Sequence, residues 1–161
     1  MAPNDGYPSA LARRVGFLLA RAHLIAREKA DLALEKVGLS MKAYAALATL
    51  VSDGAVSQQT LSRRIGMDPA TMVDVIDSLE HSGHIVRKRN PRDRRAYALQ
   101  TTAKGRALFE RAERAIARAE IETVSGMSAE EVRALTRMLG KIAAVPSTPA
   151  TEEMVGRALG R

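Results

Sequence analysis

The most chemically distinctive part of the sequence is the basic segment Val86–Gln100. Among its first ten residues six are cations and one, Asp93, is an anion. The cations are Arg87, Lys88, Arg89, Arg92, Arg94 and Arg95. The segment carries +5 of the formal net charge of +7, and bound phosphate groups would relieve the repulsion among its cations. It predicts a phosphate-binding surface, with a solvated charged loop as the alternative.

A second group of residues has the chemistry of a metal site. Asp77, His81 and His84 offer a carboxylate and two imidazoles at a spacing that can chelate a metal ion. Gly83 is predicted to end the helix before His84, however, and no cysteine or further histidine lies nearby. Two surface histidines at a helix end are the favoured interpretation, and we predict no metal.

Catalytic motifs are absent from the sequence. It has no cysteine, its three histidines lack a matching nucleophile motif, and it has no glycine-rich phosphate loop. The lack of cysteine also excludes a disulfide scaffold and a thiol redox sensor. We therefore predict a protein without catalytic residues or a cofactor, which is not an enzyme.

The composition is that of a single folded unit. A chain of 161 residues with 46% apolar residues can bury one sizeable core. Neither a signal peptide nor an apolar run of about 18 residues is found, so a cytoplasmic protein without a membrane partner is expected. The basic balance favours nucleic acid as the partner.

Helical spacing dominates both ends of the chain. Apolar residues recur at intervals of three and four over 9–36, which predicts one long amphipathic helix. Further helices are predicted over 104–124 and after Ser128, which forms a capping box with Glu131. Their apolar stripes exceed what a small core can cover. A second copy of the chain would bury them, which predicts a homodimer, with packing inside one chain as the alternative.

The middle of the chain predicts a helix-turn-helix. Ser40 is predicted to cap one helix, and Ser57 to start the next, which ends at Gly66. Asp68 and Pro69 are the N-cap and the first residue of the following helix. Two short helices joined by a tight turn that contains glycine are typical of this motif.

A β-hairpin with a charged tip is predicted to follow. Two β-type runs, 84–89 and 95–101, flank the turn-forming residues 90–94. In such a tip Asp93 can hold the guanidinium of Arg95 in a bidentate pair and fix its direction before phosphate binds. The alternative is that Asp93 is only a turn former.

These elements together resemble a known family. The stretch LSRRIGMDPATMVDVIDSLEHSGHIVRKRNPRDRRAYALQTTAKGRAL is similar to the winged helix-turn-helix core of the MarR family of bacterial transcriptional regulators. Residues 93–105 resemble the Asp-x-Arg wing signature of the family, followed by Thr-x-x-Gly. The sequence departs from the family pattern at Pro69, Ala70 and Asp74, where polar or basic residues are common. These departures concern the operator sequence and not the family.

The resemblance implies a mainly α fold with a small β-hairpin, in which a winged helix-turn-helix core is flanked by N- and C-terminal dimerisation helices. The dimerisation segments are 9–36 and 104–145, and the DNA-binding segment is 40–101. Residues 1–8 are predicted to be a flexible N-terminus. Residues 146–161 are predicted to form a C-terminal tail. Whether this tail takes part in the dimer interface is left as an open alternative.

The predicted DNA contacts fall in three sets. The recognition helix presents its first turn to the bases, the start of the preceding helix suits phosphate, and the wing arginines suit phosphate or a narrow minor groove. The alternative for the residues of the two helices is that they are ordinary surface residues that do not contact DNA. The sets are Pro69, Ala70, Thr71 and Asp74 in the recognition helix, Ser57, Gln58 and Gln59 at the preceding helix start, and Arg89, Arg92, Asp93, Arg94 and Arg95 in the wing.

The resemblance also implies a small-molecule effector bound between the dimer helices and the DNA-binding lobes. Aromatic residues make up 3% of the chain, so the pocket cannot be strongly aromatic. His23, Arg27 and Tyr44 are the candidate ligand residues, with a structural role as the alternative for each.

The sequence thus predicts a homodimeric regulator of transcription, a repressor, that binds double-stranded DNA at a pseudo-palindromic operator under effector control. One alternative is an architectural protein that binds DNA with little sequence preference. The other is a winged-helix adaptor that binds protein.

Overall fold

The computed structural model of the chain describes residues 7–90 and 93–144, and for residues 90 and 93–96 it describes the backbone alone. Within this part, the mainly helical fold with one antiparallel hairpin is confirmed. Most of the predicted N-terminus and the whole tail 146–161 lie outside the described residues. The elements are α1 (Ser9–Ala12), α2 (Val15–Glu35), α3 (Met41–Asp53), α4 (Gln58–Ile65), α5 (Pro69–His81), β1 (Ile85–Asn90), β2 (Asp93–Thr101), α6 (Ala103–Thr123) and α7 (Ala129–Ala143).

The predicted N-caps are confirmed. The side chains of Ser40, Ser57, Asp68 and Ser128 each accept a hydrogen bond from the backbone N–H three residues later, at 2.9 to 3.3 Å. The N–H of Ser128 donates in return to the carboxylate of Glu131 at 2.7 Å, which completes the capping box and lowers the pKa of Glu131. Each cap satisfies an amide that has no partner inside its helix.

The prediction of one continuous helix over 9–36 is wrong. The helix is interrupted at Arg13 and Arg14, between α1 and α2. The rings of Tyr7 and Phe17 meet edge to face with centroids 5.1 Å apart, whereas ten residues of continuous helix would rise by about 15 Å. The break therefore allows the aromatic contact that joins the chain start to α2.

The chain forms two compact units. Among the described residues, one consists of 7–30 and 117–144, and the other lies within Asp31–Ile116. The second unit has a continuous apolar core to which α3, α4, α5 and both strands contribute. Its fully buried large side chains are Leu34, Leu47, Leu50, Leu61, Met72, Ile76, Ile85 and Leu99.

The first unit leaves many apolar side chains uncovered. On α2 Val15 is 66% exposed and Leu18 is 51% exposed, and on α7 Met138 and Ile142 are 54% and 64% exposed. Val132 of α7, by contrast, is buried within the chain. Large apolar side chains left in water on two helices call for a partner surface.

The hairpin differs from its prediction at the tip. Asn90, Asp93 and Arg94 lie in strands and not in the predicted turn 90–94. The register is regular from Ile85↔Thr101 to Arg89↔Tyr97 and then shifts to Asn90↔Asp93, so 94–96 form a bulge in β2. Local turn propensity did not predict it because a bulge depends on cross-strand pairing.

Candidate nucleic-acid interface

The turn between α4 and α5 is fixed by hydrogen bonds from both sides. Gly66 has a φ of 69°, a left-handed conformation that glycine adopts without strain, and the N–H of Met67 donates to the carbonyl of Ser62 at 3.0 Å. The hydroxyl of Ser62 donates to the carbonyl of Met67 at 2.5 Å. The direction of α5 is therefore set by α4.

The first turn of α5 is accessible. Met72 and Ile76 are buried in the core, whereas Pro69, Ala70 and Asp74 are exposed on the opposite side. Three of the four residues predicted in this helix therefore face solvent, where a groove of DNA can approach them.

Thr71, the fourth, is half-buried and acts in the helix cap. Hydrogen bonds from its side chain and from its N–H, the latter at 2.9 Å, lower the pKa of Asp68. Asp68 is therefore ionised at neutral pH. Because Pro69 has no N–H and Asp68 is an anion, the start of α5 is a poor site for phosphate.

The start of α4 is better suited to phosphate. The hydroxyl of Ser57 accepts from the N–H of Thr60 at 3.1 Å and lies 2.9 Å from the Thr60 hydroxyl, so it is engaged in the cap. Gln58 is half-buried and Gln59 is exposed. Their amides occupy the first two helical positions, where no carbonyl of the helix can accept from them. A phosphate can therefore be bound here without competing with the helix.

Arg87 is the functional candidate that the sequence did not reveal. Its guanidinium forms an ion pair with Asp77 at 2.6 Å and a second, closer pair with Glu80. The backbone N–H of Arg87 donates to the same Glu80 carboxylate at 3.2 Å. The hydrogen bond to Asp77 and the two negative charges raise the pKa of Arg87. This Arg87 cluster ties β1 to α5, so Arg87 is not one of the free cations that the basic segment predicts.

Replacing Arg87 with methionine is expected to reduce DNA affinity by about tenfold while lowering the melting temperature by only a few degrees, because ion pairs that solvent still reaches contribute about 0–1 kcal/mol. The hairpin would lose its tie to α5, and two uncompensated carboxylates would remain on α5. Fluorescence anisotropy with labelled duplex and thermal denaturation measure the two effects.

The matched comparison is Lys88→Met, which removes the same charge from the exposed neighbouring residue; Arg87→Met should lose more affinity because it alone breaks the tie to α5. Adding Asp77→Asn and Glu80→Gln to Arg87→Met removes the two carboxylates. This should recover the part of the lost DNA affinity that is due to their repulsion of DNA phosphates. Unchanged affinity in Arg87→Met would show that the Arg87 cluster has no role in binding.

The remaining cations of the basic segment lie toward the hairpin tip. Lys88 and Arg89 are exposed on β1. Arg92 lies outside the described residues, and of Asp93, Arg94 and Arg95 the backbone alone is described, within β2. The pairing of Asp93 with Arg95 therefore stays a prediction.

The base of the hairpin explains the Thr-x-x-Gly pattern. The hydroxyl of Thr102 donates to the carbonyls of Gly83 and His84, at 2.8 and 3.2 Å, and accepts from the N–H of Gly105 at 3.0 Å. Thr102 thus caps α6. A Cβ on Gly105 would overlap the carbonyl oxygen of His84 and lie 2.9 Å from its carbonyl carbon. The close approach of two backbones requires glycine here.

The described residues hold no group of three or more metal-binding side chains close enough to share an ion. His81 lies at the end of α5 and is exposed, whereas His84 is half-buried. Burial, followed by the charges of Lys104 and Arg111, lowers the pKa of His84.

The three candidate ligand residues have different environments. Tyr44 donates a hydrogen bond to the carboxylate of Glu113 and stacks on Phe109 with ring centroids 5.9 Å apart, so it has a structural role. His23 and Arg27 are exposed one turn apart on α2. They are accessible in a way that Tyr44 is not.

Comparison with known proteins identifies the family. The MarR family model matches residues 39–97. The HTH-type transcriptional repressor Rv2887 of Mycobacterium tuberculosis is 30% identical over 128 residues, which cover 80% of this chain and 92% of the relative. The chain belongs to the MarR family. Its resemblance to this family, predicted from the sequence, is confirmed.

Solved structures of MarR-family regulators agree with the fold. The complex of Rv2887 from Mycobacterium tuberculosis with DNA matches with a TM-score of 0.71 and 29% identity, over 80% of this chain and 97% of that chain. CouR from Rhodococcus jostii RHA1, bound to p-coumaroyl-CoA, matches with a TM-score of 0.71 and 28% identity, over 88% of this chain and 99% of that chain. The predicted winged helix-turn-helix fold and the regulatory class are therefore confirmed.

Across the described ranges of this MarR-family chain, no helix has the length and apolar character needed to cross a bilayer.

Proposed function

We propose that this MarR-family regulator represses transcription by binding a pseudo-palindromic operator as a homodimer. The observation that carries the proposal is the exposed first turn of α5, whose direction is fixed by α4 and by the Arg87 cluster. A helix exposed and braced in this way can enter the major groove with its N-terminal residues nearest the bases. The DNA complex of Rv2887 and its name as a repressor support this assignment.

Phosphate contacts are assigned to the elements on either side of α5. The start of α4, with Gln58 and Gln59, would bind the backbone beside the major groove. The wing, with Arg89, Arg92, Arg94 and Arg95, would follow phosphates or enter the adjacent minor groove, and Asp93 would aim Arg95. DNA binding accordingly belongs to segment 40–101.

Dimerisation is assigned to the helices that leave apolar side chains uncovered, in segments 9–36 and 104–145. The exposed residues of α2 and α7 would pack against their counterparts across a two-fold axis. Two copies place two recognition helices about one helical turn of DNA apart, which is what a pseudo-palindrome requires.

Regulation by a small molecule is part of the proposal. CouR is bound to p-coumaroyl-CoA in its solved structure, which shows a related regulator with an organic ligand. In this chain His23 and Arg27 are the accessible polar candidates, because both side chains are exposed on α2. A ligand that binds more tightly to one spacing of the two DNA-binding lobes would favour that spacing. The DNA affinity would then change by at most the ratio of the ligand's affinities for the two spacings. The protein would act in the cytoplasm, at its operator, and not as an enzyme.

Binding to the DNA upstream of the chain's own gene tests the proposal. The affinity for the operator in this region should exceed that for random duplex by about 10³-fold or more. Arg95→Gln should weaken binding broadly, because it removes a cation of the wing. Equal affinity for random DNA would favour an architectural protein, and no binding to any duplex at low salt would favour a protein-binding adaptor.

A further inference from the structure

The groove-facing side of α5 carries a residue that phosphate binding does not explain. Val73 is 40% exposed and lies one turn after Ala70 on the same side of the helix. Most other exposed large apolar residues in the described chain belong to the first unit, on α1, α2 and α7. Val73 stands apart from those stripes, in the middle of the candidate DNA interface.

The charges around this surface leave few ways for it to bind DNA. The sequence of α5 from Pro69 to His81 contains no lysine or arginine. The ionised Asp68 stands at its start; two of its three acids, Asp77 and Glu80, are engaged by Arg87, and the third, Asp74, is exposed. The helix therefore offers no lysine or arginine to the phosphates of DNA. Its exposed first two turns can contact bases mainly through apolar groups.

We propose that Val73, together with Ala70, contacts the C5-methyl group of thymine in the major groove and so selects half-sites that carry thymine at a defined position. Among the four bases of DNA, thymine alone presents a methyl group there. Asp74, on the same exposed face, would disfavour acceptor-rich base edges and can accept from the amino group of cytosine. The proposal rests on the proposed function, since it requires α5 to enter the groove.

The expected size of the effect follows from the area of one methyl group. Its burial against an isopropyl side chain should change affinity about fourfold, and with one contact in each half-site the dimer should lose about 15-fold when both methyl groups are removed. Such a loss is within reach of a titration measurement.

The experiment begins with enrichment of duplexes from a random-sequence library by the full chain, followed by sequencing. The wild-type protein should enrich thymine at symmetric positions, and Val73→Ala should lose that preference. In the enriched duplex, replacing those thymines with deoxyuridine removes the methyl groups and leaves the pairing intact. Wild-type affinity should fall by about 15-fold, whereas the affinity of Val73→Ala should fall by much less, because only the contact with Ala70 remains.

Val75→Ala is the matched control. It removes the same two methyl groups from the half-buried side of the same helix, so it should cost stability but retain the response to deoxyuridine. If the wild-type protein enriches a motif but is indifferent to deoxyuridine, or if Val73→Ala responds as the wild type does, the methyl contact is wrong and the proposed function stands. If no duplex is bound or enriched, the proposed function itself fails.

Discussion

Replacing Gly105 with alanine is expected to lower the free energy of unfolding by about 3–5 kcal/mol, because the added Cβ would overlap the backbone carbonyl of His84. The His84 carbonyl also accepts hydrogen bonds from the N–H and the hydroxyl of Thr102. Moving α6 away from it would therefore break the cap of α6 as well, a loss of about 0.5–2 kcal/mol that is part of the total.

Thermal and urea denaturation of the variant measure this effect, and the melting temperature should fall by roughly 10 °C or more. Gly16→Ala is the control, since Gly16 is also in the first turn of a helix but has no atom within 4 Å of the position of its Cβ. That variant should be as stable as the wild type or slightly more stable. A Gly105→Ala protein with wild-type stability would mean that the close approach of α6 to His84 is not required.

Introducing glutamate at Ile142 is expected to weaken the dimer by two to four orders of magnitude. The side chain is 64% exposed in one chain, and the two-fold axis makes every substitution count twice. Losing the burial of two isoleucine side chains costs about 3–6 kcal/mol, to which two desolvated carboxylates would add. Operator affinity should fall as the dimer dissociates, because each monomer can contact only one half-site.

Sedimentation equilibrium over a range of concentrations measures the dissociation constant. Leu18→Glu should behave in the same way, because it places the same charge on the exposed stripe of α2. Ala55→Glu, at an exposed position between α3 and α4 and outside both dimerisation segments, is the control and should remain dimeric. Dimers of wild-type strength in both Ile142→Glu and Leu18→Glu would place the interface elsewhere on the chain.

Local signals in the sequence predicted the helix boundaries best. Ser40, Asp68 and Ser128 act within four residues of their own positions, so their caps could be inferred without any knowledge of the fold. The break at Arg13 and Arg14 was missed because the pattern of apolar residues continues across it. The break accompanies a ring contact between Tyr7 and Phe17, and helical periodicity carries no information about such a contact.

Contacts between distant residues could not be predicted. Arg87 appeared to be one cation among six, since the sequence does not show that β1 returns beside the acids of α5. The reason for Gly105 lies 21 residues earlier, at His84. The exposure of Val73 depends in the same way on which face of α5 the core covers. The predicted pairing of Asp93 with Arg95 stays a prediction.

The hairpin is secured at its base by a third segment of chain. Val56, directly before the cap of α4, pairs with Leu99 of β2 through two backbone hydrogen bonds of 2.8 and 3.3 Å, and Leu99 is buried in the core. Register and position are thus determined at the base, far from the tip. A change in the length or sequence of the tip should therefore leave the rest of the domain folded, so the proposed DNA contacts of the wing could change independently of the core.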